Sequence, residues 1–162
     1  MLVYHGTNVV VKEPKIIISN RLLDTGTGFY TTTNREQAII FAKKVFERRK
    51  QGAPVINVYE MDEKTAQQEC SVLRFPPKPN YDWLDFVTAR RNSVYSEEEY
   101  DIIIGPIAND DVFRTLGLYL TAVLSREQTI ESLKTRELYT QIIFSTEKAL
   151  SFLQFLRSEV LE

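Results

Sequence analysis

The pattern of hydrophobic positions along the chain predicts short strands mixed with helices. Period-two alternation, or dense β-branched and aromatic content, predicts strands at Leu2–His5, Phe29–Thr32, Pro54–Met61, Ser71–Phe75, Asp101–Ile104 and Leu138–Phe144. Apolar residues three and four apart predict helices from Thr33 towards Lys50, over Asp82–Arg91, from Val112 to Val123, from Ser125 to Leu133 and over Thr146–Leu161. Asp62–Glu69 fits a short helix or a loop, and Ile16–Ile18 fits an extended or a helical piece.

The order of these elements predicts the fold class. Strands and helices do not alternate as regular βαβ units, which favours an α+β architecture with a mostly antiparallel sheet. The chain has 162 residues, and we expect a single domain over residues 1–162, since domains run roughly 100–200 residues. Thr33 with Glu36, and Ser125 with Gln128, have the spacing of capping boxes and predict two helix starts.

Composition and charge narrow the class of protein. The single cysteine, Cys70, cannot form an internal disulfide, and the chain starts without a signal-like segment, so we expect a cytoplasmic protein. No apolar run approaches the ~20 residues that cross a bilayer, so no membrane partner is expected. The net charge of −2 argues against a dedicated nucleic-acid binder, although Lys43–Lys50 is locally basic. With one histidine and one cysteine, no metal site is expected.

Two separated stretches carry candidate chemistry. The first, Leu2-Val-Tyr-His5-Gly6-Thr7, sets the only histidine of the chain at the end of a strand, directly before a glycine. The second, Gly26-Thr-Gly28-Phe-Tyr30, opens a later strand that leads into a helix. This order resembles the ADP-ribosyltransferase superfamily, in the branch with a His-Tyr-acid signature that includes the poly(ADP-ribose) polymerases and diphtheria-like toxins.

Two further segments carry a closer resemblance. They are Tyr100-Asp-Ile-Ile-Ile-Gly-Pro-Ile-Ala-Asn109-Asp110-Asp111 and Gln141-Ile-Ile-Phe-Ser-Thr-Glu-Lys-Ala-Leu150. They are similar to a small bacterial family of stand-alone domains, proposed to be toxins of toxin–antitoxin pairs. The resemblance implies an ADP-ribosyltransferase-like split antiparallel β-sheet core flanked by helices. It also implies an NAD-dependent mono-ADP-ribosyltransferase that releases nicotinamide, a protein or nucleic-acid acceptor, and an antitoxin as a candidate partner.

The chemistry of NAD gives the resemblance a physical basis. The bond between nicotinamide and ribose breaks through an oxocarbenium-like transition state, as in glycoside cleavage. We expect Tyr30 to stack on the cationic nicotinamide, the bare peptide of Gly6 to pair with its carboxamide, and His5 to bond a ribose hydroxyl. The other residues expected beside the cofactor are Thr7, Gly28, Asn109 and Asp110.

The third signature position departs from the family. The polymerase-like enzymes have a glutamate at the start of the last core strand, and this chain has Gln141 there. An amide can bond ribose hydroxyls but cannot take a proton from an acceptor. Either the acceptor is already a good nucleophile, or Glu137, Asp110 or Asp111 supplies the base; Asp110 and Asp111 also suit a plain helix start. The alternative function is a non-catalytic module that binds NAD, ADP-ribose or a partner through a degenerate site.

Overall fold

The computed structural model of the protein describes residues 1–16, 28–92, 100–106 and 110–162. Along these residues the elements are β1 (Leu2–Thr7), β2 (Phe29–Thr32), α1 (Arg35–Arg49), β3 (Val55–Met61), α2 (Glu63–Glu69), β4 (Val72–Arg74), α3 (Tyr81–Asn92), β5 (Ile102–Pro106), α4 (Asp110–Leu120), α5 (Arg126–Lys134), β6 (Thr140–Phe144), α6 (Glu147–Leu150) and β7 (Leu153–Val160). The predicted α+β class is confirmed. Among the described helices, none is both long and apolar enough to cross a membrane.

The strands form one sheet in the order β4-β5-β6-β2-β1-β3-β7. Only β4 and β5 run parallel to each other, and the other neighbours are antiparallel. β1 pairs with β3 along its whole length and β2 pairs with β6 along its whole length, but β1 and β2 are registered at the single pair Tyr4↔Thr32. The sheet therefore consists of two halves, β4-β5-β6-β2 and β1-β3-β7, that meet at one rung.

The two faces of the sheet are covered differently. On the core face, which carries Val3, Phe29 and Tyr59, a hydrophobic cluster includes residues of α2 and α6. The opposite face, here called the α1 face, carries Tyr4, Ile56 and Val58, and these pack against α1. Helices α3, α4 and α5 build a second cluster around the fully buried side chains of Trp83, Leu84, Val87, Val112, Leu116 and Leu133. The core-face cluster spans the junction of the two halves, because it includes Val3 of β1, Phe29 of β2 and Ile142 of β6.

The predicted closing helix over Thr146–Leu161 is wrong. Helix α6 ends at Leu150, and β7 then pairs antiparallel with β3, so that Phe155 meets Tyr59 edge-on at 5.8 Å between ring centroids. The register of β7 shifts opposite Val58 and Tyr59, which is the signature of a β-bulge. The apolar spacing of Leu153, Leu156 and Val160 is typical of a helix, and it misled the prediction. Leu156 lies at the register shift, and both Leu156 and Val160 are exposed.

Helix starts were predicted with mixed success. The capping box of Ser125 and Gln128 is present as predicted. Helix α1 instead begins after Asn34, whose side-chain oxygen accepts from the Gln37 backbone N–H at 2.9 Å. Thr33 does not cap the helix, because its backbone N–H still bonds the Thr140 carbonyl at 3.4 Å as a continuation of the sheet. Asp62–Glu69, left open from the sequence, contains the short helix α2.

Gly6 is required by the packing of α1 on β1. A Cβ at Gly6 would lie 2.2 Å from the Ala38 carbonyl oxygen and 2.9 Å from the Ala42 backbone nitrogen. We expect Gly6→Ala to lower the free energy of unfolding by about 1–3 kcal/mol, because the helix must move away from the strand. Urea denaturation at pH 7 measures this change.

Gly117→Ala is the matched control, because a Cβ at Gly117 in α4 would meet nothing within 4 Å. It should raise the free energy of unfolding by about 0.5–1 kcal/mol, since alanine restricts the unfolded chain. Equal stability of Gly6→Ala and the wild type would contradict the described contact between α1 and β1.

Candidate functional site

The candidate site is the place where β1 and β2 separate. Met1 and Met61 exchange both backbone hydrogen bonds, with Met1 N to Met61 O at 3.0 Å and Met61 N to Met1 O at 2.8 Å. Bonding alternates along an antiparallel strand, so the odd-numbered residues of β1 bond β3, whereas Tyr4 and Gly6 direct their N–H and C=O groups towards β2. The β1–β2 register is recorded at Tyr4↔Thr32 and not at Gly6. The peptide groups of Gly6 are therefore directed towards β2 just beyond the Tyr4↔Thr32 pair. This place, where the registered pairing of β1 and β2 ends, is called the split below.

His5 connects the two strands beside the split. Its Nδ1 lies 2.7 Å from the backbone oxygen of Tyr30, and its ring lies against Phe29 with 4.3 Å between centroids. A carbonyl oxygen can only accept a hydrogen bond, so Nδ1 must carry the proton. In the neutral ring, Nε2 then has a lone pair that can accept a hydrogen bond from a ligand.

The surroundings keep this imidazole neutral. Burial lowers the pKa of His5 below its ordinary value, the bond to the Tyr30 carbonyl partly opposes that shift, and the positive charge of Arg49 adds to it. The predominant form at neutral pH is thus the Nδ1–H tautomer. Such a ring can accept from a hydroxyl group, and it presents no positive charge to a cationic nicotinamide.

Tyr30 and Gln141 share the α1 face of the sheet. Tyr30 pairs with Ile143, and Gln141 pairs with Thr32 two residues along β2. Side chains of directly paired residues share a face, and residues two apart along a strand return to that face. Tyr30 and Gln141 are thus diagonal neighbours, with Cβ atoms about 7–8 Å apart. Both side chains are half-buried.

His5, Gly6 and Tyr30 lie around the split in different directions. The His5 ring lies on the core face with Phe29, whereas alternation along β2 puts the Tyr30 side chain on the opposite face. The Gly6 peptide lies between them in the plane of the sheet. A ligand would contact all three only by entering the split itself. The structure therefore brings His5 close to the Tyr30 backbone, but the imidazole and the phenol ring project from opposite faces of the sheet and do not line one crevice.

Phe41 is a further aromatic residue near this junction. The sequence pattern grouped it with the buried residues of α1, but 48% of its surface is exposed. Ile39, on one flank of the buried stripe, packs with Ile56 and Val58 of β3. Helical spacing puts Phe41 on the other flank, which is the side towards β2. The sequence could have identified Phe41 by its place at the edge of the apolar stripe of α1. It was instead interpreted as a core residue.

The end of β1 is tied to the end of α1. Thr7 is buried, and its hydroxyl donates to Asn8 Oδ1 at 3.5 Å. The same amide oxygen accepts from Arg49 Nη1 at 3.0 Å, while Asn8 Nδ2 donates to the Gln51 carbonyl at 2.9 Å. Thr7 therefore faces the Asn8 amide, and an arginine lies next to the predicted site. Sequence reasoning had counted Arg49 only within a basic surface patch.

The remaining cofactor-binding predictions are Gly28, Asn109 and Asp110. A Cβ at Gly28 would lie 2.7 Å from Ile143 Cγ2, so this glycine allows the start of β2 to pack closely on β6. Asn109 lies outside the described residues. The backbone of Asp110 opens α4, but its side chain is also outside the description.

Two of the candidate general bases, Glu137 and Asp111, have described side chains. Glu137 is exposed on the segment that leads into β6. The Asp111 carboxylate lies 3.6 Å from Arg136 Nη1, beside the end of α5. Where the chain is described, no group of three or more His, Cys, Asp or Glu side chains could hold a metal ion.

Two open cavities lined by described residues lie away from the split. The larger one, of about 770 Å³, is bordered by residues including Met1, Asp62 and Phe152. Met1 is four residues from His5, about 13 Å along a strand. The other, of about 440 Å³, lies between α3 and α4. The hydrogen-bonding groups described above converge on the split, which makes the split the candidate site.

Comparison with known proteins gives a family. A family model described as a protein of unknown function, DUF3990, matches residues 1–155, which include every candidate site residue. No curated protein and no solved structure matches the chain significantly.

The titration of His5 tests the electrostatics of the site. As the only histidine, it gives a single imidazole signal in proton NMR. Its pKa should lie below 6.5, because burial disfavours the charged ring. The unfolded chain then binds a proton at a higher pH than the folded chain. The free energy of unfolding should therefore fall as the pH drops below about 6.5 and level off below the folded pKa.

His5→Asn is the matched variant, because its amide nitrogen can still donate to the Tyr30 carbonyl. Urea denaturation at pH 7.5 and 5.5 should show a smaller loss of stability in this variant than in the wild type. A His5 pKa above 6.5, or the same loss in both proteins, would contradict the described environment.

Proposed function

The chain belongs to the DUF3990 family, and we propose that it is an NAD-dependent mono-ADP-ribosyltransferase. It breaks the bond between nicotinamide and ribose and passes ADP-ribose to a protein or nucleic-acid acceptor. One observation supports the proposal most directly: His5 Nδ1 lies 2.7 Å from the Tyr30 carbonyl, beside the Tyr4↔Thr32 pair at which β1 and β2 are registered. The resemblance of the sequence motifs to ADP-ribosyltransferases supports the same conclusion.

The Gly6 peptide suits the carboxamide of nicotinamide. Within an antiparallel strand, the N–H and C=O of one residue point to the same side. A primary carboxamide offers one acceptor oxygen and an NH₂ donor in one plane, so it can bond both groups at once. Nicotinamide would thus take the place in the ladder next to the Tyr4↔Thr32 rung. No side chain at residue 6 stands in the way.

Aromatic rings near the split suit the cationic pyridinium. Tyr30 is half-buried on the α1 face, and Phe41 is exposed on the flank of α1 nearest to β2. An electron-rich ring face attracts a cation by about 0.5–2 kcal/mol, more where water is excluded. Stacking would hold nicotinamide until its bond breaks, and the attraction weakens once nicotinamide leaves as a neutral molecule.

His5, on the core face, and Gln141, on the α1 face, would offer hydrogen bonds to ribose hydroxyls from opposite sides of the sheet. His5 Nε2 accepts from a ribose hydroxyl, and the Gln141 amide can both donate to and accept from another. The C1′–N bond breaks with its electron pair moving to the nicotinamide nitrogen, which leaves positive charge on the ribose ring. An acceptor then attacks C1′ and loses its proton. Because Gln141 cannot take that proton, the acceptor must be nucleophilic itself or lose the proton to Glu137 or water.

The runner-up function is a non-catalytic module that binds NAD or ADP-ribose. The observation that favours it is the neutral amide at residue 141, which provides no charge to stabilise an oxocarbenium ion. The two functions differ in whether nicotinamide appears when the protein is mixed with NAD.

Nicotinamide release measures the proposed activity directly. We expect the wild type to release nicotinamide from NAD at a rate that saturates with NAD. Tyr30→Ala should lower kcat/KM by about tenfold or more, because the stacking ring is lost. Tyr30→Phe keeps the ring and should retain most of the activity. Chromatography of the products separates nicotinamide from NAD, and circular dichroism verifies that both variants fold.

The outcomes distinguish the two functions. Saturable NAD binding without release would show the binding module instead of the enzyme. Failure of the wild type to bind NAD would overturn both functions.

Gln141→Glu tests the departure at the third signature position. A carboxylate there can stabilise the charged ribose and accept a proton, so we expect nicotinamide release to rise by about tenfold or more. Gln154→Glu makes the same charge change at an exposed position on the edge strand β7 and should leave the rate unchanged. Equal rates for Gln141→Glu and the wild type would show that residue 141 does not reach the ribose.

A further inference from the structure

Arg49 is held at the end of the strand that carries His5. It lies in the last turn of α1, and its Nη1 donates to Asn8 Oδ1 at 3.0 Å. Asn8 directly follows Thr7, the last residue of β1, and lies about 10 Å along the strand from His5. The charge of Arg49 also reaches His5, since it contributes to the lowered pKa of that imidazole. The guanidinium is therefore held at the end of β1, within range of the His5 charge but on the α1 side of the sheet.

The turn after α1 fixes this position. Lys50 ends the helix in the left-handed conformation with φ of 53°, and Gly52 follows with φ of 74°. The Ala53 N–H bonds the Asn8 carbonyl at 3.3 Å, and a Cβ at Gly52 would come within 2.1 Å of that oxygen. Only glycine fits there, and the turn holds Asn8 by its backbone as well as by its side chain. Arg49 thus precedes a turn whose backbone is fixed against Asn8.

The positive charge of Arg49 has no protein counter-charge among the described residues. Two other exposed arginines are paired, Arg35 with Glu159 and Arg126 with Asp85. The described ion pairs include none with Arg49, whose partner, the Asn8 amide, is neutral. A guanidinium has five N–H donors in a planar fork that suits two phosphate oxygens. The Asn8 bond leaves most of these donors for an anion.

We infer that Arg49 binds the pyrophosphate of NAD, and that the site thereby selects a dinucleotide over a nicotinamide riboside. The inference rests on the proposed function, because the pyrophosphate is attached to the ribose that His5 would hold. A role for Arg49 as a helix-end cation alone would not distinguish it from Arg48, which lies in the same last turn. The hydrogen bond to Asn8 places the Arg49 guanidinium at the end of β1, and the charge of Arg49 contributes to the lowered pKa of His5.

Isothermal titration calorimetry of the full chain tests the inference with three probes: NAD, ADP-ribose and nicotinamide riboside, which lacks both phosphates. Arg49→Gln should raise the dissociation constants of NAD and ADP-ribose by about 10–100-fold, since a charge-assisted bond is lost. It should change riboside binding by less than about twofold. Arg48→Gln, the matched control on the same turn, should leave all three constants unchanged. Thermal denaturation verifies that both variants fold.

The results separate this inference from the proposed function. Equal binding of NAD by the wild type and Arg49→Gln would overturn the role of Arg49 and leave the transferase proposal intact. Arg49-dependent binding of ADP-ribose without nicotinamide release would support the role of Arg49 and overturn the transferase proposal. A wild type that binds neither NAD nor ADP-ribose would overturn both.

Discussion

The hydrogen bond from His5 Nδ1 to the Tyr30 carbonyl is the interaction on which the candidate site depends. It spans β1 and β2 next to their single registered rung, Tyr4↔Thr32. In a continuous antiparallel ladder that carbonyl would be the partner of the Gly6 N–H. The His5 side chain bonds this carbonyl and so connects the two strands beyond their registered pair. The same bond sets the tautomer of the imidazole, so one interaction shapes both the opening and its chemistry.

Gly6 connects the stability of the fold with the proposed binding site. Its missing side chain allows α1 to contact β1 directly, with Ala38 and Ala42 next to the glycine Cα. The same close contact brings the flank of α1 that carries Phe41 to the β2 side of the sheet. A larger residue would move the helix, and with it an aromatic wall of the split. Packing and recognition thus impose the same requirement at this position.

Much of the fold could be predicted from local patterns, whereas the geometry of the site could not. The strands at Phe29–Thr32 and Val55–Met61 and the cap at Ser125 follow from β-branched content and capping chemistry, which act within a few residues. The closing strand was missed because the exposed residues Leu156 and Val160 fall at helical spacing and were interpreted as core. The split depends on which residues of β1 and β2 pair with each other. These strands are more than twenty residues apart along the chain, so local sequence patterns do not predict their pairing. Arg49 became a candidate only through its contact with Asn8.

The central claim is that the N–H of Gly6 is available to a ligand within the sheet. Titration of the ¹⁵N-labelled protein with NAD, followed by its amide resonances, tests this most directly. The account predicts that the Gly6 resonance shifts saturably downfield, as expected for a new hydrogen bond, while the Gly117 resonance in α4 stays in place. A Gly6 resonance that does not move while NAD binds elsewhere would contradict it.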